Sequence, residues 1–152
     1  MSRNIFVVLF LILVSCNDSE LKSHRIKSGF IYEPGEYSIF LKDFKTRKII
    51  VKQLKDESII FAVTDNLNKI LFQQDLNQTF SSHHYWCLYV DANANIWFYN
   101  SDYSSSKTII FNKRTALYEM KDFCNEKLVL PEEFKKELSL KSTFQNCKSI
   151  NK

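Results

Sequence analysis

Eight short runs of branched and aromatic residues, each closed by polar punctuation, constrain this chain more than any other feature. They fall at residues 37–41, 48–54, 58–63, 69–73, 85–90, 96–99, 108–111 and 116–120. Each is of strand length rather than helix length. Ile39 and Leu41 alternate with Ser38 and Phe40, whereas Ile49-Ile50-Val51 and Ile59-Ile60-Phe61 read as strands buried on both faces. Turn signals recur about every ten residues, the pattern of antiparallel meanders. The expected fold class is therefore α+β and mainly antiparallel β, a meander of about seven or eight short strands. Glu33-Pro34-Gly35-Glu36, with Pro and Gly placed for a type II turn, marks where the folded part begins.

One helix is expected near the C-terminal end. Pro131 suits a first helical position, Glu132 and Glu133 suit the positive end of the helix dipole, and Lys135 and Lys136 follow toward the other end. Leu130, Phe134 and Leu138 recur every four residues, an apolar stripe for packing on the sheet. The clearest hairpin is 85–100, turning through Asp91-Ala92-Asn93-Ala94-Asn95, residues that tolerate left-handed backbone and cap their own turns. This segment resembles one strand–turn–strand unit of the propeller repeats. Ala94 stands where those repeats carry glycine, and the single copy falls far short of the roughly four blades a propeller needs.

With 13 Phe, 7 Tyr and 2 Trp, the chain has the large apolar side chains to build a core and is no disordered tether. The net charge of +4 is spread thinly, and Lys45-Thr46-Arg47-Lys48 reads as surface solubility. No concentrated basic face points to nucleic acid. Only two glycines occur, Gly29 and Gly35, which excludes a phosphate-cradling loop, a dinucleotide fingerprint and a nucleophile elbow. Of the three histidines, His24, His83 and His84, the adjacent pair would point to opposite faces of a strand. Neither a metal site nor a cofactor is expected, and no catalytic residue is assigned. The enzymatic alternative is a small hydrolase using Cys87, or a histidine beside Asp91 or Asp102.

The first residues carry a signal of their own. Arg3 precedes an apolar run at 5–14, Ser15 follows, and then Cys16. A run of about ten residues is too short to span a bilayer. Leu13-Val14-Ser15-Cys16 resembles the lipobox of bacterial lipoproteins. The resemblance implies that 1–15 is a cleaved signal peptide and that Cys16 becomes the acylated first residue of the mature protein. Residues 16–29 would then be a polar tether, 30–140 one globular domain and 141–152 a polar tail. It also implies an envelope protein held by lipid, on the outer membrane in preference to the inner, facing the periplasm or the exterior. In that oxidising space one disulfide is expected from the remaining Cys87, Cys124 and Cys147. Cys124 with Cys147 is the favoured pairing, Cys87 with Cys124 remains open, and a Cys87 inside the run 85–90 suits a buried, inert thiol.

The aromatic hairpin is the densest feature for binding. Alternation puts Trp86, Leu88 and Val90 on one face and Tyr85, Cys87 and Tyr89 on the other, so that one set fills a core and the other faces a partner. The binding candidates are Tyr89, Trp97 and Tyr99, with Asp102 and Tyr103 in the loop 100–107 as a recognition tip. The functional expectation is a lipid-anchored, non-enzymatic module that holds a protein partner, in the manner of an immunity protein, an inhibitor or an envelope accessory factor.

Overall fold

The computed structural model describes residues 22–41, 45–101 and 106–141. In chain order its strands are β1 (Ser23–Ile26), β2 (Gly29–Ile31), β3 (Gly35–Phe40), β4 (Thr46–Gln53), β5 (Ser58–Asp65) and β6 (Ile70–Gln73). After a single 3-10 turn come β7 (Phe80–Ser81), β8 (Trp86–Val90), β9 (Ile96–Asn100), β10 (Lys107–Asn112) and β11 (Leu117–Asp122), then the helix α1 (Glu132–Ser139). All eight expected runs are strands. The extra three, β1, β2 and β7, have 4, 3 and 2 residues, too few to show a period.

The strands form two sheets rather than one meander. One has the order β1-β3-β4-β5-β6 with β7 also on β5, and the other β11-β10-β9-β8-β2. Pairing is antiparallel except at the edge, where β1 runs parallel to β3. Residues 23–26 fall in the stretch expected to be tether, yet they are zipped onto the sheet. Gly35 is part of the reason. It is extended inside β3 instead of turning, and a Cβ there would sit 3.1 Å from the Lys22 carbonyl and 3.3 Å from the Tyr37 ring. A bare backbone at Gly35 lets the chain come close enough for the Glu36 amide to donate to the Lys22 carbonyl at 2.9 Å. The expected type II turn is thus replaced by a strand start.

Alternation sorts the side chains into two apolar layers. Between the sheets, Tyr37, Ile39, Ile49, Val51, Ile59, Phe61 and Val63 meet Trp86, Leu88, Val90, Ile96, Phe98 and Ile109. Phe61 meets Phe98 edge-on with ring centroids 5.4 Å apart. Each such side chain, once fully buried, contributes about 1.5–3 kcal/mol of transfer free energy. On its other face the second sheet presents Cys87, Tyr89, Trp97 and Tyr99, and α1 covers them with Phe134 and Leu138 while Phe123 fills the side. The expected stripe therefore packs on the sheet, and the molecule has three layers, sheet on sheet on helix.

Eight residues make a helix too short to hold itself in water. Packing and two tyrosines hold it instead. Tyr85 Oη donates to Glu137 at 2.6 Å and Tyr89 Oη to Glu133 at 3.2 Å. Pro131 is the residue before the helix rather than its first member, and Glu132 and Glu133 occupy the first turn.

Candidate functional site

The site grows out of the β8–β9 hairpin. Its loop is tied by one carboxylate: Asp91 Oδ1 accepts from the backbone amides of Asn93 at 2.8 Å and Asn95 at 2.9 Å, and Oδ2 accepts from Asn95 Nδ2 and Trp97 Nε1, each at 3.0 Å. Within this loop Ala94 takes left-handed backbone, with φ at 61°. The knot aims the Ala94 carbonyl inward, where Tyr118 Oη on β11 donates to it at 2.8 Å. The same hydroxyl accepts from Arg47 Nη1 on β4 at 2.7 Å.

Arg47 is the unusual member. It alternates with Ile49 and Val51 on the inward face of β4 and is only 7% exposed. Its guanidinium lies 3.6 Å from the centre of the Phe111 ring and 5.1 Å from that of Tyr118, within cation–π range of both. Burial pushes the Tyr118 phenol above its ordinary pKa, and the adjacent Arg47 charge pulls it part of the way back. Across the ladder Arg47 is paired with Asp65. That carboxylate is occupied by its own turn, where Oδ1 accepts from the amides of Leu67 and Lys69 at 2.9 Å each.

A cleft of about 670 Å³ opens at this end of the sandwich. Lys45, Arg47 and Lys113 give it charge, Asn93 and Asn95 bring amides from the hairpin, and Leu41 and Phe111 supply apolar wall. No Asp or Glu is among the described residues that line it. A cationic, partly aromatic concavity of this kind can hold an anionic group and an apolar neighbour together.

The chain matches no protein-family model, no curated protein and no solved structure. What it can do must be argued from these side chains.

The structure moves the expected binding residues. Tyr89, Trp97 and Tyr99 are 6%, 5% and 0% exposed, packed between the second sheet and α1. Tyr89 stacks on Phe134 at 5.9 Å and Trp97 tilts against Phe123 at the same separation. They are core, because the face left for a partner is the face the helix takes. Asp102, Tyr103, Cys16 and Cys147 lie outside the described residues.

The candidate reactive groups are scattered. Cys87 is free and fully buried, and burial is the main cause pushing its thiol up to about 12, so no thiolate is available for attack. Its freedom removes the Cys87–Cys124 pairing, while Cys124 is itself disulfide-bonded. His83 is exposed and pairs with Glu57. His83 and His84 precede β8 and Asp91 follows it, so a five-residue strand about 17 Å long lies between them, and among the described residues all of Asp91's hydrogen-bond donors are hairpin groups. Among the described residues no three His, Cys, Asp or Glu side chains gather to hold a metal ion.

Arg47, Phe111, Lys113 and Tyr118 were not singled out from the sequence. The available signal was positional. Arg47 holds an inward place in the alternation that continues through Ile49 and Val51, and an arginine on a core face needs a reason that a surface cation does not.

Proposed function

We propose that this protein is a bacterial envelope lipoprotein, anchored through acylated Cys16, whose domain works by holding a protein partner rather than by catalysis. The observation that carries the reading is a contrast: the one free thiol among the described residues, Cys87, is sealed beneath α1, while an open, cationic concavity lies beside Arg47. The lipobox Leu13-Val14-Ser15-Cys16 supports the anchor, and three acyl chains exceed the two signals that stable membrane attachment needs. The outer membrane is the favoured address. In this reading Cys124 bonds to Cys147 and ties the C-terminal tail to the flank of the helix layer. No nucleic acid and no cofactor takes part.

Mass spectrometry of the N-terminal peptide from isolated membranes is expected to find diacylglycerol on Cys16, and Cys16→Ser is expected to release the protein to the soluble fraction. A mature protein with unmodified Cys16 would overturn the anchor. A triple variant, His83→Ala with His84→Ala and Cys87→Ser, is expected to keep its cross-linked partner and its function. Complete loss in a folded triple variant would instead favour a small hydrolase.

A further inference from the structure

We infer that the cleft beside Arg47 is the recognition site for an acidic peptide segment of a protein partner, with an Asp or Glu carboxylate of that segment seated on the Arg47 guanidinium. The inference rests on the binding-module reading and names the chemistry of its partner.

Three observations converge on it. Arg47 is a buried cation with no ion pair among the described residues, and its one hydrogen bond is to the neutral hydroxyl of Tyr118. A guanidinium has five donors in a planar fork, so most of its donor capacity is left for something else. A buried charge with no carboxylate at ion-pair distance among the described residues is costly for the fold alone, and an incoming carboxylate supplies that partner. The second observation is charge complementarity. Lys113 stands exposed on the cleft's rim and no described carboxylate lines it, so its charge adds to that of Arg47 in attracting and steering an anion.

The third is size and apolarity, which separate a peptide from a small ion. A volume of about 670 Å³ is far more than a phosphate or acetate ion fills. Leu41, Phe111 and Ala116 would stay wet around such an ion, whereas the side chains flanking an acidic residue would cover them. The site is also preorganised. Phe111 and Tyr118 hold the guanidinium from two sides, and the Asp91 knot fixes the hairpin that carries Asn93 and Asn95. Little side-chain entropy is left to lose on binding.

The test uses the full mature protein in detergent micelles with three probes: the capped peptide Ala-Glu-Leu-Glu-Ala, its Gln-for-Glu isostere, and inorganic phosphate. Affinity is read by titration calorimetry and location by amide chemical shifts. The acidic peptide is expected to bind and to shift the amides of Asn93, Asn95 and Lys113, with the isostere at least about tenfold weaker, the loss that follows from removing one partner of a desolvated charge pair. Exchanging the exposed rim lysine, Lys113→Gln, is expected to weaken the acidic peptide several-fold and flatten its salt dependence with thermal unfolding unchanged. Arg47→Met is expected to abolish the preference for Glu over Gln.

Equal binding of the two peptides overturns the inference, as do shifts confined to another face. Phosphate that displaces the peptide at equal concentration makes this a small-anion site and also overturns it. If Lys113→Gln and Arg47→Met both keep an envelope partner cross-linked to wild-type level, the acidic ligand is wrong while the binding-module reading stands. If wild-type protein cross-links no partner and Cys16 is unmodified, that broader reading is the one that fails.

Discussion

Two charged side chains at the same end of the sandwich have opposite fates. Asp91 accepts four hydrogen bonds from its own hairpin, two from backbone amides and two from side chains. Arg47 donates one, to a neutral hydroxyl, and leans on rings. They are joined through Tyr118, which accepts from Arg47 and donates to the carbonyl that the Asp91 knot positions. One charge is spent on making the fold. The other is held in place by the fold and makes no ion pair among the described residues, which is the arrangement a ligand can use.

If that division is right, removing Asp91 must cost far more stability than removing Arg47. Asp91→Ala deletes all four hydrogen bonds and leaves the indole N–H of the 5%-exposed Trp97 without its partner. The expected loss is about 3 kcal/mol, because bonds to a charged acceptor are worth roughly twice neutral ones and a stranded buried donor adds its desolvation. Denaturant unfolding measures it, and a loss below that of the next variant would break the comparison.

Tyr118→Phe tests the joint. The ring and its packing on Phe111 at 5.4 Å remain, while Arg47 loses its acceptor and the Ala94 carbonyl its donor. A loss of about 1–2 kcal/mol is expected, together with weaker binding of acidic peptide, since the guanidinium is then held by ring contacts alone.

How much of this was legible beforehand depends on whether a signal repeats. Every strand of five or more residues was visible, because alternation over five positions is hard to produce otherwise. The strands β1, β2 and β7, of 4, 3 and 2 residues, were not expected, whereas β6, also of four residues, was read from its apolar run at 69–73. The stripe Leu130, Phe134, Leu138 and the two faces of the hairpin were both readable. Which face the stripe would cover was not, because periodicity is silent about which element meets which. Hence Tyr89, Trp97 and Tyr99 were expected at a surface and are in a core. Arg47 was lost for a different reason: within Lys45-Thr46-Arg47-Lys48 it reads as one surface charge among several, and only its register with Ile49 and Val51 turns it inward. Gly35 misled because a glycine after proline suits a turn and equally suits close backbone approach.

Arg47→Met sharpens the comparison from the other side. Methionine keeps an unbranched stem against Phe111 and removes a buried charge, so a stability change within about 1 kcal/mol is expected. Tyr118 reports on the same substitution through its ionisation. Burial raises its folded pKa, so its contribution is intact below the ordinary value of 10.0 and is lost as pH climbs through the folded value. Arg47 opposes that rise. Without it Tyr118 is expected to ionise at still higher pH, visible as a displaced tyrosinate absorbance step that is absent from Tyr118→Phe.

The smallest effect separates the two regions by their alanines. Ala94 in the knot and Ala116 on the cleft's rim both have left-handed backbone, with φ of 61° and 56°. That conformation costs an L-residue with a Cβ about 1–2 kcal/mol, which glycine avoids, while glycine's freer unfolded chain takes back about 0.4–1 kcal/mol. For exposed Ala116 nothing else enters, so Ala116→Gly is expected to stabilise by about 0.5 kcal/mol. Ala94 is 2% exposed and belongs to the core between the sheets, so its methyl group also contributes about 0.8 kcal/mol of burial, and Ala94→Gly is expected to come out near zero or slightly unfavourable. Paired denaturation midpoints resolve the difference. Equal gains at both sites would mean that the Ala94 methyl is not packed, and the hairpin would then be fixed by the Asp91 hydrogen bonds alone, without help from the core beneath it.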